Sequence, residues 1–509
     1  MRNREVGAVL AVLLGSSVAS AQGQVDGPVA PCAILTRVTI PNVTIGGAAD
    51  LPAGSFAPSG GRPLTTDAFC RVEATASPSP DSSIRIEVWI PAGAAWNGKL
   101  LGVGNGGYSG SLSYPAMAAG LARGYAVVST DTGHAGDQVE FANGHPERLV
   151  DWAYRAVHVM TDVAKVVIRA HRGRFPEHAY FHGCSTGGQQ ALSEAQRFPA
   201  DYDGIVTGDP GHNRARLILG FLWSWNAMHA PDGQPILPAA KLPLLNEAAV
   251  AACDSHDGLT DGLIGDPAAC LFDPSMLRCR GAENDRCLTE PQVEAVAKVY
   301  VGARNPRTGE QIFSGWARGS ERGWGAYIVS PSEPVRLGIL RLLFSDPAWN
   351  PRSFDWDRDT RFVDETMPFL SANSADLKAF KGSGGKLVMY TGLADPVVPP
   401  QDTIRYYESV TTTMGGVAPT QSFFRFFPVP GMGHCSGGAG PSTFDALGAL
   451  EAWVERAQPP DRITASHLTE GKIDATRPLC PYPTVSRYSG RGSASDGANY
   501  ACVAPARGR

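Results

Sequence analysis

An eight-residue stretch, residues 181–188, carries the residue types needed for nucleophilic catalysis. Its sequence, Phe-His-Gly-Cys-Ser-Thr-Gly-Gly, contains Gly183-x-Ser185-x-Gly187, the G-x-S-x-G pattern of a nucleophile elbow. Such an elbow places a serine on a sharp turn between a strand and a helix, where residues without a Cβ fit best. The stretch therefore predicts a nucleophilic serine. A glycine-serine turn with no catalytic role is the alternative, because it can have the same sequence pattern.

A serine nucleophile requires a base, and the base requires an orienting carboxylate. In the α/β-hydrolase fold the order along the chain is serine, acid and histidine, and the acid lies in the loop after a late strand. Asp395 directly follows such a strand, and His434 stands in a glycine-rich loop after the last strong strand. The sequence predicts a triad of Ser185, Asp395 and His434. Asp402 is the alternative candidate for the acid. If they have no catalytic role, Asp395 belongs to an Asp-Pro turn and His434 is a surface or structural histidine.

An oxyanion hole would complete this site. One backbone N–H should come from Thr186, directly after the serine, and a second from the loop that follows an earlier strand. The glycine-rich residues 104–107 stand in that position, so Gly106 and Gly107 are the predicted donors. A flexible turn is the competing interpretation.

Two cysteines flank the proposed catalytic pair. Cys184 immediately precedes Ser185, and Cys435 immediately follows His434. If the serine and the histidine are in contact, their neighbours lie close enough for a disulfide, which needs a Cα separation of roughly 4.4–6.8 Å. The pattern predicts this bridge; the alternative is that Cys184 is itself a thiol nucleophile.

The elements that must position these residues alternate between strands and helices. Residues 178–182 predict the strand before the elbow, and residues 189–197 predict the helix after it. Continuous apolar runs at 125–129 and 204–207 are typical of buried parallel strands. An apolar stripe over residues 150–172 indicates a helix. This alternation predicts a mostly parallel, doubly wound sheet.

Other segments extend or interrupt this pattern. Residues 84–90 alternate apolar and polar side chains, which predicts a strand at a sheet edge. The alternation of strands and helices stops near Pro210 and resumes with a strand at residues 386–390. A last strand at 422–427 and a helix at 443–455 follow. At 509 residues, we expect an α/β-hydrolase core with a large inserted lid. The predicted division is a signal peptide at 1–21, the first part of the core at 22–209, a lid with a calcium site at 210–380, and the second part of the core at 381–509.

The first residues are typical of a secretory signal. Arg2 and Arg4 precede a short apolar run at 6–14, and the small residues 19–21 predict cleavage near Ala21. The run is too short to span a bilayer. The sequence therefore predicts a secreted or periplasmic protein; a disordered tail of a cytosolic protein is the alternative.

Composition limits the partners. Ten cysteines, an even number, favour disulfides in an exported chain. A formal net charge of −5 provides no basic surface for nucleic acid or anionic membranes, so neither partner is expected.

A cluster of aspartates in the predicted lid indicates a cation site. Asp254, Asp257 and Asp261 lie within eight residues, and a glycine follows each of the last two. Hard oxygen ligands and tight turns suit Ca²⁺, although the spacing differs from that of an EF-hand. A run of Asp-Gly turns without a metal is the alternative.

These residues together resemble a known family. The pairs Cys184-Ser185 and His434-Cys435, with the acid Asp395, resemble the signature of the tannase and feruloyl esterase family of secreted serine esterases, whose relatives include hydrolases of monohydroxyethyl terephthalate. The resemblance extends from Cys32 to Cys502. It implies an α/β-hydrolase core, a lid, the triad and the bridge between the two flanking cysteines.

The resemblance also implies a set of disulfides and metal ligands that the sequence by itself leaves open. The implied further pairs are Cys32–Cys70, Cys253–Cys270, Cys279–Cys287 and Cys480–Cys502. The implied calcium ligands are Asp254, Asp257 and Asp261 with the carbonyl groups of Leu259 and Leu263. The ion is expected to be structural, and no organic cofactor is expected.

The function predicted from these features is a secreted serine carboxylesterase. It should hydrolyse small aromatic esters of the hydroxycinnamic or gallic type, which plant polymers can release, through an acyl-enzyme. Aromatic residues cluster in the lid at 313–349 with four arginines, Arg318, Arg322, Arg336 and Arg341, one of which could hold the carboxylate of a terephthalate monoester. A hydrolase of terephthalate monoesters or other small aromatic esters, a peptidase, and a catalytically silent calcium-stabilised binding protein are the alternatives.

Overall fold

The computed structural model describes residues 29–58, 62–108 and 110–505. The predicted signal peptide, residues 1–21, lies outside them. Among the described residues, no helix combines the length and apolar character needed to cross a membrane.

Strands and helices alternate along much of the described chain. The strands are β1 (Val43–Leu51), β2 (Gly54–Phe56), β3 (Leu64–Thr66), β4 (Phe69–Ala76), β5 (Ile84–Pro91), β6 (Lys99–Val103), β7 (Ala126–Thr130), β8 (His178–Cys184), β9 (Gly204–Gly208), β10 (Lys386–Gly392), β11 (Phe424–Val429), β12 (Ile463–Thr469), β13 (Lys472–Leu479), β14 (Val485–Tyr488) and β15 (Tyr500–Val503). The α-helices are α1 (Tyr114–Ala122), α2 (Pro146–Val150), α3 (Ala156–Arg172), α4 (Thr186–Arg197), α5 (Arg214–Met228), α6 (Leu242–Cys253), α7 (Glu290–Val301), α8 (Leu337–Leu343), α9 (Arg358–Thr366), α10 (Lys378–Gly382), α11 (Pro400–Thr413), α12 (Val417–Gln421) and α13 (Ala446–Arg456).

A nine-stranded sheet forms the centre of the molecule, in the order β1-β4-β5-β7-β6-β8-β9-β10-β11. The strands from β7 to β11 in this order pair in parallel, and β1, β4, β5 and β7 pair antiparallel. This is the predicted mostly parallel α/β-hydrolase sheet. The elbow strand β8 lies near its middle, where both of its neighbours are buried.

The edge position predicted for residues 84–90 is wrong. This segment is β5, which lies between β4 and β7. Strands β1 and β4, from the N-terminal segment, extend the sheet beyond it as an antiparallel pair, and Cys32–Cys70 bonds the turn before β1 to β4. The edge is therefore β1, whose side chains are mostly exposed or partly exposed.

Between β9 and β10 the chain forms the helices α5 to α10 and long loops. Most of this insertion packs in one apolar core, which includes Trp316 and Trp324, with 1% and 0% of their surfaces exposed. The same core includes Tyr108 and Trp152 from outside the insertion. Phe380 of α10 instead packs in the core of the central sheet. The insertion is thus a helical layer that packs on the rest of the molecule, and its last helix packs on the sheet.

Candidate active site

Ser185 occupies a strained turn between β8 and α4. Its φ of 63° and ψ of −119° lie outside the regions that L-residues commonly adopt. A Cβ on Gly183 would lie 2.3 Å from the carbonyl oxygen of Gly187, so only glycine fits there. The N–H of Ser185 donates to the carbonyl of Gly208 on the neighbouring strand, at 3.0 Å. The predicted elbow is therefore present in its full strand-turn-helix form.

His434 contacts one of the two predicted acid candidates. Its Nδ1 lies 2.7 Å from Oδ2 of Asp395, whose carboxylate is fully buried. The other oxygen of Asp395 accepts hydrogen bonds from the N–H groups of Val397 and Val398, which orient it. The rival Asp402 instead accepts from the Asn213 side chain. Geometry thus pairs the histidine with Asp395.

The environment of His434 raises the pKa of its imidazole. Burial lowers this pKa, but the charge and hydrogen bond of Asp395, with a further contribution from the carboxyl of Asp209, outweigh the desolvation. The positive charge of Arg214 acts in the opposite direction. A general base needs this balance, because it must take up a proton and then release it near the working pH.

A disulfide joins the elbow to the histidine loop. Cys184 and Cys435 are bonded, with a Cα separation of 5.9 Å. The bond thus links the residue before Ser185 to the residue after His434. Because the Cys184 sulfur is bonded, no thiol is present there to act as a nucleophile. The other four bridges are the pairs that the resemblance implied.

The predicted oxyanion loop packs directly on the elbow. The N–H of Gly187 donates to the carbonyl of Asn105 at 2.6 Å, and the Thr186 hydroxyl donates to the carbonyl of Gly107 at 2.8 Å. Gly107 has a φ of 63°, which favours glycine. Within the part of the chain that the structure describes, no hydrogen bond occupies the backbone N–H of Thr186, Gly106 or Gly107. These groups are available to a substrate oxygen.

A buried arginine that the sequence did not indicate supports this loop. Nη2 of Arg214 donates to the hydroxyl oxygen of Thr186 at 2.6 Å, and only 5% of the Arg214 surface is exposed. Burial, and then the charge of Arg336, lower the pKa of Arg214 to about 10. Among the described residues, no carboxylate forms an ion pair with it. A positive charge therefore lies beside the residue whose N–H should bind the oxyanion.

A second buried carboxyl group, that of Asp209, was also not predicted from the sequence. Potential ligand atoms of Asp209, Asp395 and His434 all lie within 4.8 Å of one another, and we call these three side chains the catalytic cluster. Asp209 directly follows β9. The carboxyl ends of core strands are where α/β sheets place functional groups, so its position was a usable signal.

The lid reaches both sides of the site. The indole N–H of Trp316 donates to the carbonyl of Pro396, next to the acid Asp395, at 2.8 Å. The guanidinium of Arg336 lies 4.3 Å from the ring centroid of Tyr108, and a methyl group on Gly107 would lie 2.7 Å from it. The lid therefore contacts the acid loop and the oxyanion loop.

The other three lid arginines have partners elsewhere. Arg318 donates to the carbonyl of Phe272 and lies over the ring of Tyr300. Arg322 contacts Asn246 and Glu247, and Arg341 contacts Glu333. Only Arg336 of the four predicted candidates contacts the oxyanion loop.

Asp254, Asp257 and Asp261, which we call the lid aspartate loop, lie in consecutive turns after α6. Asp254 accepts from the N–H groups of Asp261 and Gly262, and Asp257 accepts from that of Leu259. Burial raises the pKa of Asp257, and the charges of Asp261 and Asp254 raise it further. The carboxylates are thus close enough to repel one another.

The lid aspartate loop attracts positive charge. The guanidinium of Arg477, from β13, forms an ion pair with Asp261. All of the side-chain donors are hard oxygen atoms, which suit Ca²⁺. The three carboxylates are not among the groups of described side chains whose ligand atoms all lie within 4.8 Å, so a shared ion would have to draw them together. The donor chemistry fits calcium, with Arg477 as a competing cation.

Comparison with known proteins agrees with this geometry. Residues 70–503 match the family described as "Tannase and feruloyl esterase". An esterase of Xanthomonas campestris described as uncharacterized is 38% identical, over 94% of this chain and 92% of that protein. Mono(2-hydroxyethyl) terephthalate hydrolase of Piscinibacter sakaiensis is 33% identical, over 83% of this chain and 82% of that protein.

A solved structure shows that the whole fold is shared. The crystal structure of feruloyl esterase B from Aspergillus oryzae superposes with a TM-score of 0.86 at 28% identity, covering 92% of this chain and 98% of that one. The segment that matches the family begins at Cys70 and ends at Val503, so it includes the elbow, the lid and the histidine loop. The chain belongs to the tannase and feruloyl esterase family and is a carboxylic ester hydrolase.

Proposed function

We propose that this protein is a secreted serine carboxylesterase that hydrolyses esters of aromatic acids through an acyl-enzyme intermediate. The observation that supports it most is the arrangement around one disulfide. Cys184–Cys435 ties the strained Ser185 turn to His434, whose Nδ1 lies 2.7 Å from Asp395. These are the three roles that acyl transfer by serine requires.

In the proposed reaction the hydroxyl oxygen of Ser185 attacks the ester carbonyl carbon while Nε2 of His434 takes up its proton. Asp395 holds the imidazole in the required orientation and stabilises the positive charge that forms. The N–H of Thr186, with that of Gly106 or Gly107, donates to the developing oxyanion. The histidine then protonates the leaving alcohol, and water releases the acid from Ser185 by the reverse sequence.

The substrate class rests on the family and on the lid. Relatives are named for feruloyl esters, tannins and a terephthalate monoester. Hydroxycinnamic or gallic esters remain the first candidates for this chain. Trp316 and Trp324 are buried in the lid core, so their main role is packing of the lid.

A specific observation favours terephthalate monoesters as a second candidate. Such an ester carries a free carboxylate, and Arg336 places a guanidinium beside Gly107 of the oxyanion loop. Its acidic partner, Asp137, is 3.6 Å away and largely exposed, so a substrate carboxylate can compete for it. We propose Arg336 as the residue that would distinguish the two substrate classes.

A hydrolysis panel tests both candidates. Purified protein is assayed with methyl ferulate, methyl gallate, monohydroxyethyl terephthalate and a short p-nitrophenyl ester, and acid release is followed by chromatography. Arg336→Gln should raise KM for the terephthalate monoester at least about tenfold, because a charged hydrogen bond is lost. It should change KM for methyl ferulate less than threefold. No hydrolysis of any ester by the folded wild-type protein would contradict the proposed function.

We also propose a structural calcium ion at the lid aspartate loop. Asp254, Asp257 and Asp261, with the carbonyl groups of Leu259 and Leu263, would hold it. When bound, the ion would neutralise carboxylates that otherwise repel one another. Its distance along the chain from the catalytic cluster favours a role in lid stability.

A further inference from the structure

Asp209 lies where the loops of all three proposed triad members meet. It directly follows β9, which pairs with the nucleophile strand β8 on one side and with β10, the strand before Asp395, on the other. Its own N–H donates to the carbonyl of Tyr390 on β10 at 2.9 Å. Its φ of 36° is unusual for a residue with a side chain. The backbone thus leaves the extended conformation of β9 at this residue.

The side chain of Asp209 bridges the acid loop and the histidine loop. Oδ1 accepts from the N–H of Gly392 at 2.7 Å and from the hydroxyl of Thr391 at 3.1 Å. Oδ2 accepts from the N–H of Cys435, directly after the histidine, at 2.9 Å. The residue is fully buried, so these contacts are shielded from water. One carboxyl group therefore holds two loops that come from different strands.

The electrostatics suit a group that supports Asp395 without replacing it. Burial, and then the negative charge of Asp395, raise the pKa of Asp209 above its usual range. Its carboxyl therefore holds a proton more readily than an exposed aspartate does, and a protonated carboxyl can still accept the backbone hydrogen bonds.

We propose that Asp209 is a positioning residue for the esterase reaction, because its carboxyl group holds the loop of the acid against the loop of the base. The inference rests on the triad proposed above. In this proposal Asp209 does not contact the substrate. It acts through Gly392, three residues before Asp395, and through Cys435, one residue after His434.

Two substitutions at this position separate positioning from folding. Asp209→Asn keeps the size and one acceptor oxygen, which can still serve Gly392, but it loses an acceptor for Cys435. Asp209→Ala loses both. We expect kcat to fall about fivefold to tenfold in the Asn variant and about 100-fold in the Ala variant, because small displacements of catalytic groups are costly. KM should change less than threefold, because the substrate contacts remain.

The matched control is Asp402→Asn, which alters a mostly buried aspartate outside the catalytic cluster. Its kcat should stay within twofold of wild type. All rates are measured per active site titrated with a fluorophosphonate, at a temperature well below each variant's melting temperature. A carboxyl group that only stabilised the fold would lower the melting temperature and leave kcat per titrated site unchanged.

The outcomes are separable. A kcat within twofold of wild type in folded Asp209→Ala would overturn the inference. If that variant does not fold, the Asn variant decides, and equality with Asp402→Asn would overturn it. Full turnover in Ser185→Ala would instead refute the proposed serine mechanism, whatever the Asp209 variants do.

Discussion

Two acidic regions of the molecule differ in their partners. In the catalytic cluster, Asp209 and Asp395 are fully buried and contact backbone N–H groups and one histidine. In the lid aspartate loop, the oxygens accept from N–H groups of their own turns and from Arg477. The first arrangement joins loops that follow different strands, and the second joins neighbouring turns to one another and to one distant arginine.

This difference explains why similar residues should have different functions. A buried carboxylate beside a histidine shifts the proton affinity of that histidine, which is useful for chemistry. Carboxylates that repel one another favour a bound cation, which stabilises a loop. In this loop Asp254 is buried, and Asp257 and Asp261 are exposed. The type of partner is therefore what would separate a catalytic aspartate from a structural one.

The largest effect should come from the elbow serine. Ser185→Ala should lower kcat by a factor of about 10⁵ or more with little change in melting temperature, because the triad acts as a unit. Steady-state kinetics with the best ester of the panel and a thermal melt measure both. Turnover near that of wild type would show that Ser185 is not the nucleophile.

The acid should have the next largest effect, and it has a pH signature. Asp395→Asn should lower kcat about 10³–10⁴-fold. Because Asp395 raises the pKa of His434, and the reaction needs the neutral imidazole, its loss should move the acid limb of kcat/KM to lower pH. The pH profile of the residual activity measures this shift.

Asp402→Asn is the control for this experiment. Asp402 is also a mostly buried aspartate, and burial raises its pKa, but its hydrogen-bond partner is the Asn213 side chain. It should keep wild-type kcat and an unshifted acid limb. If Asp402→Asn shows the loss instead, the assignment of the acid is wrong.

Removing the disulfide beside the catalytic cluster should have a moderate effect on turnover. The Cys184→Ala/Cys435→Ala protein should lose about tenfold or more in kcat while still folded, because the bond positions the histidine loop. It should also melt lower, since a closed loop of 251 residues is worth about 5 kcal/mol in the chain-entropy description.

The bridge between Cys480, directly after β13, and Cys502 of β15 provides the control. Cys480→Ala/Cys502→Ala should melt lower and keep its kcat per folded molecule. Equal kcat in both double variants would show that the bond beside the elbow only stabilises the fold. Peptide mapping of unreduced wild-type protein checks the pairing, and a free thiol at position 184 in active enzyme would contradict it.

The sequence predicted the arrangement of these residues where local pattern and chain order coincide. Ser185 and the helix after it follow from residue types within a dozen positions, and Asp395 and His434 follow from the order of elements in the fold. The edge strand was misplaced because β1, which pairs with β4, contains two glycines and only one buried residue, so it shows no regular strand pattern. The distinction between Asp395 and Asp402 also needed coordinates, since Asp395 lies in the loop after β10 and Asp402 lies in the first turn of the helix that follows that loop.

Asp209 and Arg214 illustrate what sequence patterns leave out. Each acts on the site through groups that are distant along the chain: Asp209 through Cys435 and Arg214 through Thr186. Neither has a local motif, because the contacts exist only after β9 is placed beside β8 and β10. Position at the carboxyl end of a core strand was the one usable signal for Asp209.

The smallest effect on turnover should come from the lid aspartate loop. Chelation should lower the melting temperature by roughly 5 °C, because an ion bound only to the native state stabilises it by mass action. Turnover at mild temperature should change less than twofold, since the loop supplies no group to the catalytic cluster. Asp257→Ala should reproduce the chelated melting curve and make it insensitive to chelator.

Asp266→Ala is the matched control for the metal, because Asp266 accepts from the N–H groups of its own turn but lies outside the proposed ligand set. It should keep the response to chelator. If Arg477 alone neutralises the lid aspartate loop, chelator will not change the wild-type melting curve and elemental analysis will find no calcium. Arg477→Gln will then lower the melting temperature instead. A loss of turnover on chelation as large as that of Asp395→Asn would break the separation between the two acidic regions, because it would make the lid aspartate loop part of the catalytic machinery.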